Sequence, residues 1–150
     1  MDRLWSPWRY RYVSKKGPEE CIFCVKNDYI IHRAEKNFVL LNLYPYTSGH
    51  LMIAPYAHVA TLSESDPAAL VEMMLLAQRA EVALKKVYNP KGFNMGLNIG
   101  ESAGAGIAGH IHMHVLPRWP GDANFMTTIG ETRVIPEDLG TTYKRLSEAF

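Results

Sequence analysis

The chain has 150 residues, of which 47% are hydrophobic and 21% are charged, a composition typical of one globular domain with a packed core. Its formal net charge of +1 provides no broad basic surface, which argues against a nucleic-acid partner. No apolar run approaches the roughly 18 residues needed to span a bilayer, so no membrane association is expected. Residues 1–5 lack the apolar stretch of a signal peptide, which predicts a cytoplasmic location.

The first part of the chain predicts an irregular arm followed by two paired strands. Residues 1–20 are polar and aromatic and are expected to form an irregular N-terminal arm of a single domain spanning 1–150. Phe38–Leu41 and Leu51–Ala54 are short apolar runs typical of buried strands. Turn-forming residues in the segment 44–49 separate them, so we expect an antiparallel pair.

The middle of the chain predicts one long helix. Asp66 is a suitable N-cap, and Pro67 is favoured at the first helical position. Apolar residues then recur about every 3.6 residues until Asn89-Pro90 ends the run. The apolar positions of this predicted helix are Leu70, Met73, Met74, Ala77, Leu84 and Val87.

Strand patterns resume after the helix. The segment 93–99 alternates strictly, with Phe93, Met95, Leu97 and Ile99 on the predicted apolar face. We expect this strand to pair with the one that follows the glycine-rich stretch, and a short amphipathic helix closes the chain. The order of elements predicts an α+β fold, with an antiparallel sheet of about five strands covered on one face by the long helix.

Three of the six histidines alternate with apolar residues in His110-Ile111-His112-Met113-His114. On a strand the three imidazoles would share one face, while the apolar residues between them would pack into the core from the other face. Because the pKa of imidazole lies near neutral pH, such a row is suited to phosphate binding, nucleophilic attack or metal ligation.

The loop before these histidines, residues 100–109, is rich in glycine. Glycine allows close approach of the backbone to a ligand, and successive amides can bind an anion. We therefore expect Gly104 and Gly106 to contact an anionic ligand, such as the phosphate of a nucleotide. A glycine-rich loop alone is a weak signal, but the histidines that follow favour the same anionic ligand.

Cys21 and Cys24, the only cysteines, are separated by two residues. Two thiolates at this spacing can bind one zinc ion if two further ligands complete the tetrahedron. A redox pair and two small buried hydrophobic side chains are the alternatives. With no other cysteine in the chain, the further zinc ligands would come from His32, His50, His58, His110, His112 and His114.

The segment 110–116 resembles the signature of the histidine triad superfamily, in which histidines alternate with apolar residues. The segments 3–9 and 118–125 resemble the bacterial diadenosine tetraphosphate phosphorylase branch, which is related to the dinucleoside polyphosphate hydrolases. Further features occur in the superfamily's order: Asn42, Gly49-His50, the long helix, and Asn98 with Gly100 before the signature strand.

This resemblance implies roles for the matching residues. His112 would be the nucleophile that attacks the α-phosphorus and carries the nucleotide transiently. His114 and His50 would hold the α-phosphate and orient the attacking ring, and these flanking histidines, if protonated, would offset charge on the phosphoryl oxygens. Asn42 would hydrogen-bond the ribose, and Asn98 would contact the nucleotide near its phosphates.

Some relatives carry a structural zinc ion held by a Cys-x-x-Cys pair and two histidines. Matched by position, the ligands here would be Cys21, Cys24, His58 and His110. That ion would tie the N-terminal arm to the first residue of the catalytic strand without touching the substrate. The resemblance also implies a symmetric homodimer.

One departure concerns Gly106 and Ile107, where family members usually have Gln or Ser. The missing polar group disfavours a phosphoramidase, whereas a polyphosphate leaves as a stabilised anion and needs less assistance. The resemblance thus implies cleavage of diadenosine tetraphosphate with phosphate, giving ADP and ATP through a nucleotidyl-histidine. The alternatives are hydrolysis by water of a dinucleoside polyphosphate or a purine nucleoside phosphoramidate, and a non-catalytic nucleotide-binding module.

Overall fold

A computed structural model describes residues 20–25, 27–130, 132 and 134–150, so the predicted arm lies almost entirely outside the described residues. The strands are β1 (Ile30–Arg33), β2 (Asn37–Leu41), β3 (Leu51–Pro55), β4 (Gly92–Leu97) and β5 (Met113–Arg118). The helices are α1 (Pro67–Tyr88), α2 (Phe125–Thr128) and α3 (Leu139–Ala149), with a 3₁₀ turn at Glu101–Ala103.

The five strands form one sheet in the order β1-β2-β3-β5-β4, and every neighbouring pair is antiparallel. The predicted fold class is confirmed. Strand β5, which continues the histidine motif, lies between two neighbours, with His114 paired to Met52 on one side and Gly96 on the other. A central strand is held by hydrogen bonds along both edges, so its side chains are well fixed.

Strand β2 is buried throughout because both faces of the sheet are covered. Val39 and Leu41 belong to the main core beneath α1, while Phe38 and Leu40 face a second cluster. This second cluster also contains Phe23, from the segment with the two cysteines. Period-two alternation explains the division, since successive strand side chains point to opposite faces.

Helix α1 begins and ends as the sequence predicts. The Asp66 side chain accepts a hydrogen bond from the Ala68 amide at 3.0 Å. At the other end, Asn89 has the left-handed backbone conformation, and its amide donates to the Lys85 carbonyl at 3.0 Å. The prediction was wrong for Met74, which is 57% exposed because the buried stripe instead includes Leu76 and Ala80.

The histidine strand is shorter than predicted. Strand β5 begins at Met113, so His110 and His112 precede it. The reason is that the Ile111 amide donates to the Val59 carbonyl at 2.7 Å, which anchors this segment to the loop after β3. Ile111 is nevertheless buried, as the alternation predicts.

Two other details differ from the sequence prediction. Met95 and Ile99 are 40% and 37% exposed, since β4 is an edge strand and only Phe93 and Leu97 pack on the core under the helices. Strand β1 was not predicted individually, because its sequence Ile-Ile-His-Arg lacks alternation. None of the described helices is both long and apolar enough to cross a bilayer.

Candidate functional site

The His112 imidazole has one nitrogen fixed by the backbone. Its Nδ1 lies 2.8 Å from the carbonyl oxygen of His110, and since a carbonyl can only accept, Nδ1 carries the proton and donates. In the neutral ring, Nε2 therefore holds the lone pair. His112 is only 5% exposed, and burial lowers its pKa, so the neutral form prevails at pH 7. This arrangement leaves the lone pair on His112 Nε2 able to act as a nucleophile.

His50 and His114 form a hydrogen-bonded pair with defined tautomers. The Tyr46 amide donates to His50 Nδ1 at 3.1 Å, so the proton of neutral His50 is on Nε2. That nitrogen lies 2.9 Å from His114 Nδ1, which must accept. The remaining nitrogen of His114, Nε2, therefore carries a proton that can be donated to a ligand.

His114 acts as a neutral donor rather than as a cation. Burial, with a smaller contribution from the neighbouring His112, lowers the pKa of His114 to about 4. The His114 ring is therefore neutral at pH 7. Ring contacts support the arrangement, since the Tyr46 ring centroid lies 4.7 Å from that of His50 and 6.0 Å from that of His114.

The predicted asparagines lie near these histidines. The backbone N–H of Asn42 donates to the His50 carbonyl at 3.0 Å, and the side-chain Nδ2 of Asn42 is 3.4 Å from His50 Nδ1. Asn98 directly follows β4, whose last residue, Leu97, pairs with Met113. Asn98 is thus one residue beyond the pair that β4 makes with Met113, the residue that follows His112.

In the glycine-rich loop, Gly104 and Gly106 lie in different surroundings. Gly104 ends the 3₁₀ turn with φ at +85°, and its amide donates to the Glu101 carbonyl at 2.9 Å. In this conformation that amide is occupied within the loop. Gly106 is exposed, while the adjacent Ile107 packs against the second cluster.

The two cysteines meet two histidines at one point. The ligand atoms of Cys21, Cys24, His58 and His110 all lie within 4.8 Å of one another. Nδ1 of His110 is 3.4 Å and 3.6 Å from the two sulfurs, and Nδ1 of His58 is 3.3 Å from Cys24 Sγ. A tetrahedral zinc site with ordinary bond lengths has a sulfur–nitrogen edge of about 3.6 Å, so these atoms fit a metal ion. The cluster can bind a metal.

His110 joins this cluster to the triad. Its Nε2 donates to the Pro55 carbonyl at 2.8 Å, which leaves Nδ1 unprotonated and directed at the sulfurs. An outer hydrogen bond of this kind fixes the tautomer of a metal-binding imidazole. The carbonyl oxygen of His110 accepts the hydrogen bond from His112 Nδ1, so His110 contributes both to the Cys/His cluster and to the triad.

Sequence reasoning missed two aromatic residues. Phe23, which lies between the cysteines, is 6% exposed, and its ring centroid is 4.7 Å from that of His112. Tyr46 contributes its amide and its ring to the His50–His114 pair. Phe23 had a sequence signal in its place inside the Cys-x-x-Cys motif, whereas Tyr46 sits in a turn and had none.

A cavity of about 520 Å³ is lined in part by the turn that contains Tyr46. It is bordered by Tyr88, Trp119 and the segment after β5, and none of the triad histidines lines it. The Glu137 carboxylate at its edge accepts hydrogen bonds from Thr142 and Tyr88. The cavity therefore adjoins the histidines through the turn that contains Tyr46.

Comparisons with known proteins agree with this geometry. Residues 25–121 match the model of a protein family described as the HIT domain. The chain is 38% identical over 162 residues to the AP-4-A phosphorylase of Mycobacterium tuberculosis, covering 98% of this chain and 83% of that protein.

Two solved structures resemble the fold. A Zn-bound histidine triad family protein from Mycobacterium smegmatis has a TM-score of 0.67 and 29% identity, covering 80% of this chain and 81% of that one. A histidine triad nucleotide-binding protein from Sulfolobus tokodaii has a TM-score of 0.71 and 26% identity, covering 86% of this chain and 91% of that one.

Proposed function

Because the chain belongs to the HIT domain family, we propose that it is a nucleotidyltransferase that cleaves diadenosine polyphosphates through a nucleotidyl-His112 intermediate. The reaction would convert diadenosine tetraphosphate and phosphate to ADP and ATP. Similarity to the AP-4-A phosphorylase of Mycobacterium tuberculosis supports this substrate class. The observation that carries the proposal is the His112–His110 hydrogen bond, which keeps the Nε2 lone pair available.

In the first step, the Nε2 lone pair of His112 forms a bond to the α-phosphorus of one adenosine. The bond from that phosphorus to the bridging oxygen breaks, and its electron pair leaves with ATP. The Nδ1 proton stays in its hydrogen bond to the His110 carbonyl, which fixes the tautomer and orientation of the ring. Forming a covalent intermediate divides one difficult displacement into two easier ones.

His114 would stabilise the charge that develops on the phosphoryl oxygens. Its Nε2 proton is the outer end of the chain that starts at the Tyr46 amide and passes through His50. A preorganised donor in a buried site needs no reorientation during the reaction. Asn42 and Asn98 would bind the nucleotide from either side of this pair, and the exposed Gly106 would border its phosphates.

In the second step, an oxygen of inorganic phosphate would attack the phosphorus as the bond to His112 breaks. The imidazole returns to its neutral state and ADP is released. Ile107 supplies no hydroxyl or amide to assist a nitrogen leaving group, which favours a polyphosphate substrate over a phosphoramidate. Water remains the alternative acceptor.

The cluster of two cysteines and two histidines would hold a structural zinc ion. The Zn-bound relative from Mycobacterium smegmatis supports this choice, as does a donor set of two thiols and two imidazoles. When bound, zinc supplies fixed coordination and no chemistry on the substrate. Cys21, Cys24, His58 and His110 would then hold the His110 carbonyl in place for His112.

We propose a symmetric homodimer, as the family resemblance implies, formed by single-domain protomers. We also propose a cytoplasmic location. Cys21 and Cys24 form no disulfide with each other, as expected in a reducing compartment.

Incubation with diadenosine tetraphosphate, with and without phosphate, tests the proposed reaction. Phosphate-dependent release of ADP and ATP in equal amounts supports it, whereas AMP formed without phosphate indicates hydrolysis. The variant His112→Ala should lose turnover, while the matched control His32→Ala should keep it, since His32 lies beside Arg79 and Phe150. Full turnover by His112→Ala would refute the nucleophile, and nucleotide binding without turnover of any substrate would favour a binding module.

A further inference from the structure

Phe23 lies between the cluster of two cysteines and two histidines and the proposed nucleophile, His112. It lies in the turn between the two cysteines, where the Cys24 amide donates to the Cys21 carbonyl at 2.9 Å. Both sulfurs of this turn point to His58 and His110, while the Phe23 ring packs into the second core cluster. The ring centroid lies 4.7 Å from that of His112 with planes tilted by 37°, and 5.0 Å from that of His110 with planes tilted by 48°.

The charge of the His112 ring changes during the proposed reaction. Before attack the ring is neutral, with its proton on Nδ1. After Nε2 has bonded to phosphorus, the proton is still on Nδ1, so the ring carries a positive charge while the leaving polyphosphate keeps the electron pair. The imidazole becomes a cation inside a site where its own side chain is only 5% exposed to water.

The ring of Phe23 is placed to stabilise this cation. A cation over the face of an aromatic ring, within about 6 Å of its centroid, is attracted by the ring quadrupole, and the attraction strengthens when water is excluded. Phe23 is 6% exposed and His112 is 5% exposed, so little water screens the pair. In the neutral ground state the same contact lacks the cationic component, so the interaction strengthens only as the intermediate forms. Interactions of this kind accelerate the chemical step.

We propose that Phe23 is a positioning residue that acts through His112, stabilising the imidazolium of the nucleotidyl intermediate with its aromatic ring; this inference rests on the proposed function. The Cys-x-x-Cys turn thereby has two effects on His112. Through His110, it holds the carbonyl that accepts the hydrogen bond from His112 Nδ1. It also places the Phe23 ring against the His112 imidazole.

Single-turnover formation of the nucleotidyl-enzyme from radiolabelled diadenosine tetraphosphate tests this proposal. Phe23→Leu preserves an apolar side chain but removes the π-system, and should slow adduct formation by about 5- to 30-fold. Phe23→Tyr should retain the rate. The matched control Phe93→Leu, which removes a ring that packs on the helix side of the sheet, should leave the rate unchanged.

A fluorinated series separates charge stabilisation from simple support. Mono-, di- and trifluorinated phenylalanine at position 23 keep the ring shape while weakening its quadrupole progressively, so the logarithm of the rate should fall stepwise. Zinc content and unfolding midpoint, measured for each variant, should stay at the values of the unmodified protein. These measurements remain decisive even if Phe23→Leu folds poorly.

The outcomes distinguish this inference from the proposed function. If the unmodified protein forms no adduct at His112, the proposed function fails. If the adduct forms but its rate is the same across the fluorinated series, the stabilising role of Phe23 is overturned. A fall in rate that tracks loss of zinc rather than fluorination would also overturn it.

Discussion

Acidification should destabilise this protein through one identifiable side chain, His114. Its folded-state pKa of about 4 lies well below the unperturbed value of 6.5, because burial disfavours the charged ring. Between these two values the unfolded chain binds a proton that the folded chain excludes. The free energy of unfolding therefore falls progressively as the pH drops from the unfolded pKa to the folded pKa, and falls no further from this group below the folded pKa.

The size of the effect follows from the two pKa values. Each unit of difference corresponds to about 1.4 kcal/mol, so acidification from about pH 7 to about pH 4.5 should lower the free energy of unfolding by about 2–3 kcal/mol. This is a substantial part of the total stability of a typical domain, which is about 5–15 kcal/mol. His110 and His112 act in the same direction, since burial also lowers their pKa values.

Urea unfolding of the wild type and His114→Gln across this pH range isolates the contribution of His114. Glutamine does not titrate, so the difference in unfolding free energy between the two proteins should shift by about 2–3 kcal/mol in favour of the variant on acidification. Other titrating groups are common to both proteins and largely cancel. Parallel pH profiles would show that His114 is not held neutral by the fold, and would refute the tautomer chain derived for it.

Three further changes have defined outcomes. Cys24→Ser should reduce bound zinc far below one ion per chain by elemental analysis and lower the thermal midpoint, because a structural metal ion stabilises the folded state. His50→Gln should slow nucleotidyl transfer by about 10²-fold in a steady-state assay, since it disturbs the donor orientation of His114. Gly49→Ala should lower the free energy of unfolding, measured with urea, by about 1–3 kcal/mol. Gly49 has φ at +77°, and an added Cβ would lie 2.9 Å from Leu84 Cδ2.

Each of these has a contrary result. Full zinc content in the Cys24 variant would place the metal elsewhere, and an unchanged rate for His50→Gln would remove that residue from the catalytic group. For Gly49, Thr47→Ala in the same turn is the control, and equal stability of the two variants would contradict the steric argument.

Sequence determined the elements whose signals are local. Helix α1 begins after Asp66 and ends at Asn89 as predicted, because capping residues satisfy or terminate hydrogen bonds within a few residues of themselves. Spacing also predicted that Cys21 and Cys24 could bind one ion together, since a two-residue separation brings both sulfurs to one side of a turn. The family resemblance then supplied His58 and His110 as partners, and the structure brings these two side chains to the sulfurs.

Tertiary structure decided what depends on contacts distant in sequence. No local pattern could show that Val59 would bind the Ile111 amide and delay the start of β5 until Met113. The proton positions were equally hidden, because His114 acquires its tautomer from His50, which lies 64 residues earlier in the chain. A side chain's chemical type is written in the sequence, but its protonation and orientation depend on the burial and hydrogen-bond partners that only the folded chain provides.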